Sequence, residues 1–163
     1  MIILGIDPGL ATVGYGVVDK SPKGLRVVDY GVITTPPNEG TPVRLAMIAD
    51  GLTALVEKHR PDCVVVEELF FNTNTTTGIR VAEARGVILY RAVMECGELF
   101  EYTPLQIKYA LTGNGRADKK QMQFMVRAIL GLTEIPKPDD AADALAVAIC
   151  HANTSEHGHR KAK

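Results

Sequence analysis

Cysteines are too few and too scattered to cross-link this chain. The three, Cys63, Cys96 and Cys150, are odd in number and sit in apolar segments, so a disulfide framework is excluded and each reads as a small core residue. CxxC metal spacing is absent. So is any long hydrophobic stretch: the longest apolar run, Ala144 to Cys150, falls far short of the ~20 residues that cross a bilayer. No membrane partner is expected. The opening Met-Ile-Ile-Leu-Gly-Ile-Asp has no basic leader, so secretion is not expected and a reduced, cytoplasmic location is. Internal repeats and low-complexity segments are also missing. One domain over residues 1–155 with a short basic, disordered tail at 156–163 is the simplest division. An excess of one charge sign is lacking too, because the formal net charge is −1, and composition alone does not advertise a polyanionic partner.

The 163 residues, 46% apolar and 23% charged, can bury roughly 70% of the surface that the unfolded chain exposes. Charge is unevenly spread. Between Pro104 and Arg127 there are five basic residues against one acid, Asp118, and HGHRKAK adds three positive charges. Residues 2–7, 12–19 and 25–35 are β-rich runs separated by Pro8-Gly9 and Ser21-Pro22-Lys23-Gly24, and such short connections imply an antiparallel meander. Thr41 can cap a helix that takes Pro42 into its first turn, repeats Leu45, Ile48, Leu52, Leu55 and Val56 at helical spacing, and ends at Pro61. Residues 63–71 read as an apolar strand that joins the sheet in parallel by a right-handed crossover. A helix over 77–96, a strand over 99–104 and a helical turn over 105–111 follow. Asp118 and Gln121 then form a capping box for a helix over 119–132, and Asp139 or Asp140 opens the last helix. The order βββαβαβα, three antiparallel strands before two parallel ones, matches an α/β ribonuclease H-like arrangement with a five-stranded mixed sheet flanked by helices.

The last helix is small and apolar on nearly every side, so it is buried. Asp140 and Asp143 are three apart on one of its faces, where like charges repel and resist desolvation. The bland alternative is that both complement the positive end of the helix dipole. Asp7 ends an apolar strand, although Asp-Pro-Gly is also an ordinary turn sequence. Glu67 and Glu68 follow Cys63 to Val66, and one of them faces the core side. Spacing does not say which. Three separate segments thus each place an acid on a buried element, the pattern of hard oxygen ligands for magnesium, and two such ions suit phosphodiester hydrolysis.

GIDPGLATVGYGVV, PDCVVVEELFF, EARGVI, LQIKYALTGNGRADKKQMQFMV and DDAADALAVAICH together resemble the RuvC family of Holliday-junction resolvases. The resemblance implies that Asp7, Glu67, Asp140 and Asp143 form the catalytic, metal-binding site, with two Mg²⁺ ions or Mn²⁺ in their place. Asp139 stands beside that motif as an extra acid. The resemblance also implies that Phe70, followed by Phe71, stacks on an unpaired base at the crossover, and that Lys108 and Lys119 meet phosphates. Stacking and phosphate contacts give affinity without reading sequence. Arg80, Arg85, Arg116 and Lys120 are further candidate DNA contacts.

Membership in that family implies a homodimer that nicks two strands of a four-way DNA junction symmetrically, leaving 5′-phosphate and 3′-hydroxyl ends, in company with a branch-migration helicase complex. The apolar residues Ile79, Val81, Val87, Ile88, Tyr90 and Val93 of the second helix hint at a double duty in core and interface. Two other readings compete. A non-catalytic junction-binding module gains nothing from concentrated negative charge unless metals neutralise it. An actin-like or sugar-kinase-like ATPase needs a duplicated fold and a second glycine-rich motif, which the sequence lacks.

Overall fold

The computed structural model describes residues 1–68 and 75–154. Its sheet has the order β3-β2-β1-β4-β5. The strands are β1 (Ile2–Asp7), β2 (Thr12–Ser21), β3 (Gly24–Thr34), β4 (Cys63–Glu67) and β5 (Leu99–Tyr102). β1 to β3 form the antiparallel meander, and β4 and β5 run parallel to β1. The helices are α1 (Thr41–His59), α2 (Thr75–Glu95), α3 (Pro104–Thr112), α4 (Lys119–Ile129) and α5 (Asp139–Thr154).

Strand parity divides the core into two layers. Ile3, Cys63, Val65 and Phe100 pack with α3, α4 and α5 on one face of the sheet. Leu4, Ile6, Val64 and Val66 pack with α1 and α2 on the other. Both faces are therefore covered, which is why the central strands are nearly continuous apolar runs. α5 is buried along almost its whole length, from Ala141 to Ala152.

α5 approaches β1 and β2 most closely where those strands carry glycine. Gly5, Gly14 and Gly16 form its bed: a Cβ added at Gly14 would run into the backbone carbonyl of Asp140, and one at Gly5 into that of Ala144. Alanines on α5 complete the close approach. The seam brings Asp140 and Asp143 down to the strand that carries Asp7.

Several boundaries differ from the sequence reading. α1 already includes Thr41, and its cap is Gly40, which makes no side-chain hydrogen bond. At its other end Arg60, in a left-handed conformation, caps the helix before Pro61. β4 ends at Glu67, where its partner β5 ends at Tyr102 and Thr103 turns the chain into α3 through a capping box with Gln106, and positions 69–71 of the expected strand lie outside the described residues. The capping box of Asp118 and Gln121 on α4 forms as expected. Cys63 and Cys150 are buried and Cys96 is half-buried. No described helix is long and apolar enough to cross a membrane.

Candidate active site

The parity that builds the two layers also aims the acids. Asp7 shares the face of Ile3 and Gly5, and Glu67 shares the face of Cys63 and Val65, so both look toward α5. They lie side by side, because Ile6 pairs with Val66 and each acid follows its strand's last paired core residue. Glu68 falls on the opposite parity, where its charge acts on Arg85. The choice between the two glutamates, open from spacing, is thus made by sheet register.

Asp143 and Glu67 line one cleft of about 230 Å³ together with Lys108, Lys119, Pro104, Ile107, Met122 and Ala146. Burial, followed by the charges of Glu67, Asp143 and Asp140, pushes the Asp7 carboxyl up to about 8. Burial and Asp143 push Glu67 up to about 7, with Lys108 pulling the other way. Asp143 is raised as well, chiefly by burial and then by Asp140, against Lys119. Asp7, Glu67 and Asp143 therefore share a place that disfavours their charge, and the charge of Asp140 adds to it at Asp7 and Asp143. Among the described residues no three acids, histidines or cysteines converge tightly enough to define a coordination shell. What points to a cation is charge and burial, and the donor set is entirely of hard carboxylate oxygens, suited to magnesium.

Lys119 extends from the first turn of α4 to the acids of α5, its Nζ 3.0 Å from Asp139 and 3.6 Å from Asp143. The pairing holds Asp139 below the usual carboxylate range and raises Lys119. Lys108, half-buried on α3, lines the same cleft. The remaining candidates are more dispersed. Lys120 lines a separate hollow with Gln121 and Phe124. Arg80 and Arg116 are exposed. Phe70 and Phe71 lie outside the described residues. His151 is buried eight residues beyond Asp143, against Phe100 and the Tyr102 hydroxyl, with Nδ1 3.0 Å from that oxygen.

Arg85 is built into the protein in a way that the sequence did not signal. Its Nε donates to the Glu67 carbonyl at 3.2 Å, and its guanidinium pairs with Glu101 of β5. A half-buried fork of this kind ties the ends of β4 and β5 to α2. We expect Arg85→Met to slow junction cleavage roughly ten-fold by loosening Glu67, while the salt dependence of junction affinity stays that of the wild type. A shallower salt slope would make Arg85 a phosphate contact instead.

A mixed five-stranded sheet in this order, with acids from β1, β4 and α5 meeting at its rim, defines a ribonuclease H-like nuclease. Residues 3–151 match the family model of the crossover junction endodeoxyribonuclease RuvC. The chain is 60% identical over 151 residues to the crossover junction endodeoxyribonuclease RuvC of Rubrobacter xylanophilus, covering 93% of this chain and 84% of that protein. Thermus thermophilus RuvC superimposes with a TM-score of 0.90 at 38% identity, over 99% of each chain. The same protein in complex with a Holliday junction substrate gives 0.88 at 36% identity, again over 99% of each. The chain belongs to the RuvC family of crossover junction endodeoxyribonucleases.

Proposed function

We propose that this enzyme resolves Holliday junctions by hydrolysing two phosphodiester bonds symmetrically, with Asp7, Glu67, Asp140 and Asp143 holding two magnesium ions, for which manganese substitutes. The observation that carries the reading is the burial of Asp7, Glu67 and Asp143 together with the repulsion among neighbouring acids, which drive Asp7 to about 8 and Glu67 to about 7. A protein keeps such a cluster at a cost to its own stability unless cations neutralise it. Family membership carries metal dependence with it. Bound magnesium would activate the attacking water and stabilise the leaving oxygen, giving 5′-phosphate and 3′-hydroxyl ends.

The chain's own groups supply the rest. Asp7 and Glu67 are held rigidly at adjacent strand ends, and α5 fixes Asp140 and Asp143 against them. Lys108 and Lys119 in the cleft meet the phosphates on either side of the cut, supplying affinity and register without reading bases. Phe70, followed by Phe71, stacks on an unpaired base, and Arg80, Arg116 and Lys120 extend the DNA contact. The basic tail at 156–163 lies outside the described residues.

Two like-polarity strands of a four-way junction must be cut, so a two-fold symmetric homodimer fits the substrate. Ile79, Tyr90, Val93 and Met94 on α2 are exposed large apolar residues, which favours that helix as the interface. A branch-migration helicase complex is the expected partner and the cytoplasm the expected location. The test is a synthetic four-way junction: paired nicks appear in magnesium and vanish in chelator. Glu67→Gln is expected to bind the junction and leave it uncut. Cutting by Glu67→Gln at the wild-type rate would sink the assignment of the site.

A further inference from the structure

Asp139 stands one residue before the acid that the metal reading assigns, and its carboxylate is occupied on both sides. Gln123 donates from Nε2 to Oδ1 at 2.9 Å, and Lys119 places Nζ 3.0 Å from Oδ2. Lys119 and Gln123 are four residues apart and so project from one face of α4. Asp139 and Asp143 are likewise four apart on α5, and the ammonium reaches both acids, the second at 3.6 Å. A ligand role for Asp139 would have to compete with contacts that already engage both of its oxygens.

Lys119 has two partners in this arrangement, and they are not equivalent. Asp143 lines the cleft with Lys119. Asp139 lies at its rim, with its side chain 58% exposed. A divalent cation drawing on Asp143 would cancel the attraction of that acid for the ammonium and repel the ammonium as well. Asp139 would then be the anchor left, already oriented by Gln123. An ammonium carries three donors. One can stay on Asp139 while another faces a phosphate at the cleft.

We propose that Asp139 is a positioning residue that tethers Lys119 at the rim of the cleft, so that the lysine stays aimed at DNA phosphate when cations occupy the neighbouring acids. The proposal rests on the metal-dependent nuclease reading of the cleft. It also separates the adjacent acids by task, Asp140 to metal and Asp139 to lysine.

Asp139→Asn tests it with little disturbance, because the asparagine Oδ1 still accepts from Gln123 and only the attraction for the ammonium is lost. Single-turnover cleavage of a synthetic four-way junction in magnesium should slow about five-fold, the upper size of one solvent-exposed ion pair. Junction affinity measured in chelator should not weaken, since a negative charge has been removed from a DNA-binding rim. The magnesium concentration giving half-maximal rate should stay at the wild-type value. In a Lys119→Met background, adding Asp139→Asn should change the rate no further.

A wild-type rate for Asp139→Asn overturns the tether. So does a rate loss that persists undiminished beside Lys119→Met, which would show an action independent of the lysine. A raised magnesium requirement overturns it in favour of a metal-ligand role. The underlying reading fails separately, and visibly, if Asp143→Asn cleaves like the wild type.

Discussion

Asp7→Asn is expected to abolish cleavage, by about 10³-fold or more, and at the same time to make the metal-free protein more stable. The two effects have one cause. Asp7 is held near 8, against an ordinary value of 3.8, by burial and by the charges of Glu67, Asp143 and Asp140. Glu67 is raised to about 7 from 4.5. A carboxyl whose folded value is raised binds its proton more tightly in the native state than in the unfolded one. The stability it contributes is therefore complete below about 4 and is lost as pH rises through about 7 to 8. The metal-free wild type should show a melting temperature that declines across this window. The variant, with an uncharged side chain at the centre of the cluster, should decline less. At pH 8 it should exceed the wild type by on the order of 2 kcal/mol, allowing for proton sharing among the coupled acids, which for a chain of this length is about 4–8 °C. Magnesium should then reverse the ranking, raising the wild type and barely moving the variant. Thermal melts from pH 5 to pH 9, in chelator and in magnesium, measure all of this. Parallel profiles for the two proteins would mean that Asp7 does not share a field with the other acids.

What the sequence made legible was periodicity along the chain, and what it hid was proximity between elements. The meander, the parallel entry of β4 and the capping box of Asp118 follow from local spacing and turn residues, and the structure shows all three. The pairing of Asp140 and Asp143 on one helical face follows in the same way. Glu67 against Glu68 could not be settled by a run of four apolar residues, because both faces of β4 are buried and alternation is erased. Register against β1, with Ile6 opposite Val66, supplies the missing phase. Arg85 looked like one more candidate phosphate contact among several. Its ties to the Glu67 carbonyl and to Glu101 join residues far apart in sequence, and no local pattern encodes them. The bond from Gln123 of α4 to Asp139 of α5 likewise joins separate elements and has no local signal. The glycines of β1 and β2 were read as parts of a family motif and of strands, whereas their function is to admit a helix.

That admission gives the second large effect. Gly14→Ala should lower both stability and activity, and activity by more than the stability loss explains. Gly14 pairs with Asp7 across the β1–β2 ladder and faces the first turn of α5, where a Cβ would strike the Asp140 carbonyl and its backbone neighbours. Backbone atoms cannot rotate aside as a side chain can, so either α5 lifts or β2 twists. Overpacking of this kind costs about 1–3 kcal/mol. The displacement falls on the turn that carries Asp140 and Asp143, beside the strand end that carries Asp7. A shift of the order of 1 Å between these acids is enough to slow catalysis about 100-fold. Ile149→Ala provides the comparison, since Ile149 is fully buried on the same helix about 13 Å further along its axis from Asp140. Its cavity costs about 2–5 kcal/mol, a range that overlaps that of the Gly14 change and extends above it, yet the acids are left in place. Assayed at a temperature where both variants are folded by circular dichroism, Ile149→Ala should cut the junction within about three-fold of wild type, while Gly14→Ala should bind the junction and cut it poorly. If the two lost activity in proportion to their melting temperatures, the seam would be only a packing contact. If Gly14→Ala alone fails, the close approach of α5 to the sheet is what holds the carboxylates together.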